Sequence, residues 1–203
     1  MIDTYLSIAK PTSGKIKRGG SRFLSFIHPV SSEQDIKRIT DELRREHHAA
    51  THHCYAYRIL GEDEVIVRAQ DDREPAGSAG APILQQLEGA RLYDVLAVVI
   101  RYFGGKKLGI GGLIRAYGDA TSEAISQGKI TKKQRQRRVE IEFPPELNSA
   151  VMGLLHRHPV QIEEMEYGEV ASIRVRLPCS VLSTFERQLH EATSARANLQ
   201  EVG

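Results

Sequence analysis

The hydrophobic positions of this chain follow two periods, one of strands and one of helices. Residues 5–9 and 22–30 carry strand-like patterns, the second rich in aromatic and β-branched side chains and stopping at Pro29, and the glycines at 14, 19 and 20 predict a hairpin between them. Ser32 and Asp35 have the spacing of a capping box, after which Ile36, Ile39 and Leu43 recur at helical spacing to about Glu46. Residues 54–60 and 65–69 read as a hairpin across the polar turn Gly61, Glu62, Asp63.

The next stretch, REPAGSAGAP, is too rich in glycine and proline for a strand and leads into Ile83, Leu84 and Leu87 at helical spacing, with Pro82 suited to a first turn. Residues 95–100 form a continuous apolar run, the pattern of a strand covered on both faces. A glycine-dense loop follows, then a helix whose stripe of Leu113, Ala116, Ala120 and Ala124 is narrow enough to sit close to a sheet, ending near Gly128. Beyond it the patterns read strand 138–143, helix 147–155, strands 160–167 and 170–177 across Gly168, helix 181–189 and strand 195–202. That βαββαβ order is ferredoxin-like. The prediction is an α+β chain of two domains, 1–130 and 131–203.

Charge sharpens this division. The net charge of +2 hides a nearly balanced first part, 18 basic and 16 acidic residues over 1–130, a segment 131–138 with five basic residues and no acidic one, and a final part with five basic and ten acidic. The segment TKKQRQRR is the natural domain boundary, and such clusters attract nucleic acid when they are not solvated linkers or strand edges. Composition is otherwise ordinary for a globular chain, no apolar run reaches the roughly 18 residues of a membrane span, and no signal-peptide pattern is present. A cytoplasmic location without membrane attachment is expected, with Cys54 and Cys179 as free thiols.

Candidate chemistry centres on the glycine loop, where six of the 17 glycines fall between Gly104 and Gly118. Glycines that allow close backbone approach, followed by a helix N-terminus and fixed positive charge, make an anion site. Here Lys106, Lys107 and Arg115 would contact phosphate beside Arg101, with Gly104, Gly105, Gly109, Gly111 and Gly112 opening the backbone. Neither a Walker loop nor a dinucleotide fingerprint is present. The bland alternative is that the glycines serve only tight strand–helix packing. Tyr102, Phe103 and Tyr117 could stack on bases, with Phe103 the better core residue and Tyr102 the better exposed one.

A second cluster gathers carboxylates and imidazoles. Asp71, Asp72 and Glu74, with His53 on the cleft rim, could support metal-assisted phosphoester hydrolysis, or could cap exposed backbone amides before the Pro-Ala-Gly turn. Of His52, His53 and Cys54 only His52 and Cys54 can share a strand face, and no further zinc-type spacing accompanies them, so neither a metal nor another cofactor is expected. His156, Arg157 and His158 suit a helix C-terminus.

Three segments, SRF at 21–23, DDREPAGSAGAPIL at 71–84 and VVIRYFGGKKLGIGGLIRAYGDA at 98–120, together resemble the signature of the IMPACT family. The resemblance implies a first domain like the second domain of a small-subunit ribosomal protein and a second domain like the fifth domain of elongation factor G. It also implies a positively charged cleft for nucleic acid and a role in translation, with RNA or a ribosome-associated protein as partner. Eukaryotic members regulate translation by competing for an activator of an initiation-factor kinase through an additional N-terminal interaction domain. No segment here matches that domain, so the kinase role is not carried over. Arg73 stands where the family pattern usually has glycine, and its side chain is expected to alter the local turn. Three functions follow: a non-catalytic RNA or ribosome-partner binder using Arg101–Arg115, a hydrolase using Asp71, Asp72 and His53, or a module for protein interaction alone.

Overall fold

In the computed structural model residues 3–61 and 64–202 are described. Glu62 and Asp63 of the expected turn lie outside them. The chain divides into two compact units, Tyr5–Lys133 and Gln134–Gly203 with Met1–Thr4.

The apolar run builds the centre of the first unit. It forms β6 (Val95–Tyr102), the middle strand of an antiparallel sheet whose other members are β2 (Thr12–Arg18), β3 (Ser21–Pro29), β4 (His52–Leu60) and β5 (Val65–Gln70), in the order β2-β3-β6-β4-β5. Alternation along β6 serves two cores. Val95, Ala97 and Val99 pack with the stripes of α2 (Gly80–Gly89) and α3 (Gly109–Ser126), while Leu96, Val98 and Ile100 pack with Ile36, Ile39 and Leu43 of α1 (Glu33–Glu46). The first turn of α1 is held by Ser32 Oγ, which accepts the Asp35 amide, whereas the Asp35 carboxylate receives the Ser31 amide and hydroxyl in place of a reciprocal box.

The small residues of α3 act as expected. A Cβ on Gly14 would lie 2.7 Å from the Ala124 amide nitrogen, so β2 and α3 approach at backbone distance. Two expectations at the N-terminus are corrected. The residues between the first two predicted strands form a strand themselves, β2, which turns into β3 through Gly19 and Gly20. The first predicted strand, β1 (Thr4–Ile8), pairs with β7 (Ile130–Gln134) in a separate two-stranded sheet. Only Ile16 is a large apolar side chain in β2, and an edge strand of this kind leaves little period to read.

The second unit has the predicted βαββαβ order: β8 (Gln136–Phe143), α4 (Asn148–Leu155), β9 (Gln161–Glu166), β10 (Ala171–Pro178), α5 (Cys179–Thr193) and β11 (Asn198–Glu201). Its sheet runs β11-β8-β10-β9, with Val139, Ile141, Phe143, Ile173 and Val175 in the core shared with α4 and α5. Ser194 and Ala195 take left-handed φ values at the end of α5, which delays the last strand to Asn198. Arg157 Nε donates to the Gly153 carbonyl in the last turn of α4, as expected for a basic residue there.

The basic segment is strand rather than loose linker, lying in β7 and β8. Part of its charge is spent internally, since Arg138 pairs with Glu163 at 2.7 Å and Arg137 with Glu201 at 3.5 Å. Among the described residues no helix is long and apolar enough to cross a membrane.

Candidate functional site

Strand parity decides which predicted residues meet. Arg101 and Tyr102 are neighbours on β6 and therefore point to opposite faces. Arg101 turns to the α3 side, where it is 4% exposed and its Nη1 donates to Glu74 Oε1 at 2.7 Å. Tyr102 turns to the α1 side, where its hydroxyl lies 3.0 Å from His47 Nδ1 and the Arg22 guanidinium stacks on its ring. Neither serves the predicted phosphate contact: Arg101 is buried against a carboxylate and Tyr102 faces away. Phe103, expected in the core, is 47% exposed because β6 has ended before it.

Glu74 organises the buried side. Its Oε1 also accepts the Tyr117 hydroxyl at 2.7 Å, and Cys54 Sγ stands 3.4 Å from that hydroxyl and 2.9 Å from the Asp71 carbonyl. Tyr117 is fully buried edge-on to Phe23, so it cannot stack on a base as its position in the sequence allowed. Burial pushes both the Cys54 thiol and the Tyr117 hydroxyl up in pKa, so Cys54 is an inert core thiol.

The same parity separates the histidines. His53, expected on the cleft rim, is buried and its ring lies on the Asp72 side at 3.9 Å; burial, and then the Arg44 charge, hold its pKa low. His52 is the one beside the cleft, and it was missed. Its Nδ1 lies 2.9 Å from the Asp72 carbonyl, which can only accept, so Nδ1 carries hydrogen and the neutral ring presents the Nε2 lone pair, 3.7 Å from Glu74 Oε1.

Asp71 and Asp72 are caps. Asp71 receives the amides of Gly77, Ala79 and Gly80 at 2.8–2.9 Å; burial raises its pKa, but these three donors outweigh it and hold the carboxyl below the usual range. Asp72 accepts the His53 amide at 2.7 Å and pairs with Arg44 at 3.3 Å, which likewise overcomes burial and lowers its pKa. The hydrolase reading required these two carboxylates and His53 to converge beside the cleft, and their partners direct them elsewhere. Among the described residues no group of three His, Cys, Asp or Glu side chains is placed to hold a metal ion. Arg73 occupies the left-handed region at φ 71°, so the turn keeps a glycine-like conformation despite its side chain, which donates to the Thr51 carbonyl.

The glycines divide into two kinds. A Cβ on Gly104 would lie 2.0 Å from the Gly20 carbonyl group, so this glycine lets two loops touch, and Ser21 Oγ accepts its amide at 3.2 Å. Gly105, Gly109 and Gly111 have nothing within 4 Å of a built Cβ, whereas Gly112 has only the Leu108 side chain, at 3.0 Å. Between them Lys106 and Lys107 are exposed, and neither has an ion-pair partner among the described residues. Helix α3 then begins with no side-chain cap from Leu108, leaving its first amides open. Arg115 is exposed one helical repeat beyond Gly111, on the same side of α3.

Beside this loop lies a cavity of about 400 Å³. His52, Glu74 and Arg101 supply its polar groups, and Pro75, Phe103, Leu108, Ile110 and Leu113 its apolar walls, with Lys107 also at the lining. The expected cleft is thus half apolar, a feature that the charge pattern did not signal.

Comparison with known proteins accounts for this arrangement. The model of the Impact N-terminal domain matches residues 19–125, and that of a domain of unknown function, DUF1949, matches residues 151–196. The IMPACT family member YvyE of Bacillus subtilis is 32% identical over 201 residues, covering 99% of this chain and 92% of its own. The IMPACT family member YigZ of Escherichia coli is 31% identical over 201 residues, covering 98% and 97%. A crystal structure described as that of a hypothetical protein superposes with a TM-score of 0.72 at 29% identity, covering 100% of this chain and 99% of the other. The chain belongs to the IMPACT family.

Proposed function

We propose that the Tyr5–Lys133 unit binds RNA by its phosphates, at the loop before α3, and acts in translation-associated regulation by occupancy rather than catalysis. One observation carries this reading: two exposed lysines without acidic partners stand immediately before an uncapped helix N-terminus. The aligned peptide dipoles give such an end roughly half a positive charge, and its free amides point along the axis towards an incoming oxygen. Lys106 and Lys107 add two full charges there. Gly105 and Gly111 leave the backbone open to a phosphate, and Arg115, on the face of Gly111, extends the basic track. Arg101 and Arg18 are not part of it, being paired with Glu74 and with Asp119 at 2.6 Å.

Catalysis has no matching support, because the carboxylates nearest the loop in sequence are engaged as caps. The reading is tested by ultraviolet crosslinking of a bound single-stranded RNA followed by peptide mapping. Crosslinks are expected within residues 103–115. Crosslinks confined to residues 134–202 would overturn it.

A further inference from the structure

The floor of the cavity beside α3 has a chemical polarity that phosphate binding does not use. Glu74 is a carboxylate with only 4% of its side chain exposed, and both polar contacts that hold it, from Arg101 and Tyr117, go to Oε1. Its Oε2 lines the cavity without a hydrogen-bond donor among the described residues. His52 Nε2, an acceptor in the neutral ring, lies 3.7 Å from Glu74 Oε1. Two acceptors thus face the same space with no donor to share. A buried acceptor left without a donor is costly, and a ligand that supplies donors removes that cost.

We infer that the cavity receives a single nucleobase with two adjacent N–H donors on one edge, which is guanine. Guanine presents its N1–H and N2 amino group side by side. Adenine and cytosine set an amino group next to an acceptor nitrogen, and uracil sets one N–H between two carbonyls, so each would bring an acceptor against Glu74 or His52. The walls suit a flat ring: Phe103 and Ile110 are large apolar side chains, 47% and 60% exposed, at the opening. Stacking on such a face is tolerant of sequence, which leaves the choice of base to the floor. A volume of about 400 Å³ falls within the usual range for small-molecule sites. Lys107, which also lines the cavity, then meets the attached phosphate. That last contact rests on the phosphate reading above, whereas the base contacts do not.

The test uses the full chain and 5′-GMP, 5′-IMP, 5′-AMP and 5′-UMP, titrated by calorimetry, together with an oligouridine and the same oligomer carrying one guanosine. Inosine keeps N1–H and lacks the N2 amino group. GMP is expected to bind about tenfold tighter than IMP, and more tightly than AMP or UMP, since a bidentate edge contact discriminates by about that factor. Phe103→Ala, at an exposed position, should weaken GMP binding without unfolding the chain. Glu74→Gln should abolish the preference for GMP over IMP, and because it strips a buried partner from Arg101 the ligand series on the unaltered protein stands independently of it.

Equal affinity for the four nucleotides, or no nucleotide binding with no gain from the guanosine in the oligomer, would overturn the inference. Salt-sensitive binding of both oligomers alike, without base preference, overturns it while leaving the phosphate reading intact. GMP binding without binding of either oligomer supports the pocket as a site for free guanine nucleotide and overturns the RNA reading.

Discussion

Gly104 and Gly20 meet backbone to backbone: a Cβ on Gly104 would lie 2.0 Å from the Gly20 carbonyl carbon and oxygen, and one on Gly20 would lie 2.7 Å from the Gly104 carbonyl oxygen. The contact ties the start of the glycine loop to the β2–β3 turn, and nothing in it can rotate aside as a side chain could. Gly104→Ala is therefore expected to cost about 3 kcal/mol or to prevent folding. Gly111→Ala, in the open first turn of α3, should instead be neutral or add about 0.5 kcal/mol through helix propensity. Urea denaturation of the pair checks this, and equal losses from both substitutions would contradict the division of the glycines.

Asp71 holds three backbone amides of the turn before α2, so Asp71→Asn should destabilise the chain by about 1–2 kcal/mol near neutral pH. The carboxyl has a folded pKa below its ordinary value of 3.8. Its stabilisation is accordingly complete above that value and lost as pH falls through the lower folded pKa. Denaturation midpoints of the two proteins should converge on acidification below 3.8 and stay apart above it; a constant difference at all pH values would exclude the cap as the cause.

Arg73 is held at φ 71° beside Asp72 at φ 43°. A left-handed residue with a Cβ costs about 1–2 kcal/mol, and glycine returns about 0.4–1 of that through unfolded-state entropy. Arg73→Gly should thus raise stability by about 0.5 kcal/mol, measured as a higher thermal midpoint. A lower midpoint would mean that the bond from Arg73 to the Thr51 carbonyl matters more than the backbone conformation.

The sequence made the fold legible wherever burial was one-sided and periodic. The run from Val95 to Ile100 announced a central strand, and the small stripe on α3 announced close packing on β2. Strand β2 escaped because glycine and lysines leave Ile16 as its one large apolar residue, and the strands within TKKQRQRR escaped because charge masked their alternation. The site was legible in its outline and not in its parity. His52 was exchanged for His53, and Tyr102 for Phe103, because adjacent positions swap faces and only a known neighbour fixes which is which. Cys54 in the core would have fixed it for His52, two residues away on the same face. Phe103 had no such guide, lying beyond the end of β6.

The most direct test is the salt dependence of single-stranded RNA binding by the unaltered chain and by the double variant Lys106→Ala, Lys107→Ala. Two lost phosphate contacts should weaken binding at every salt concentration and flatten the slope of log K against log salt by about 1.4. An unchanged affinity and slope in the folded double variant would contradict the account.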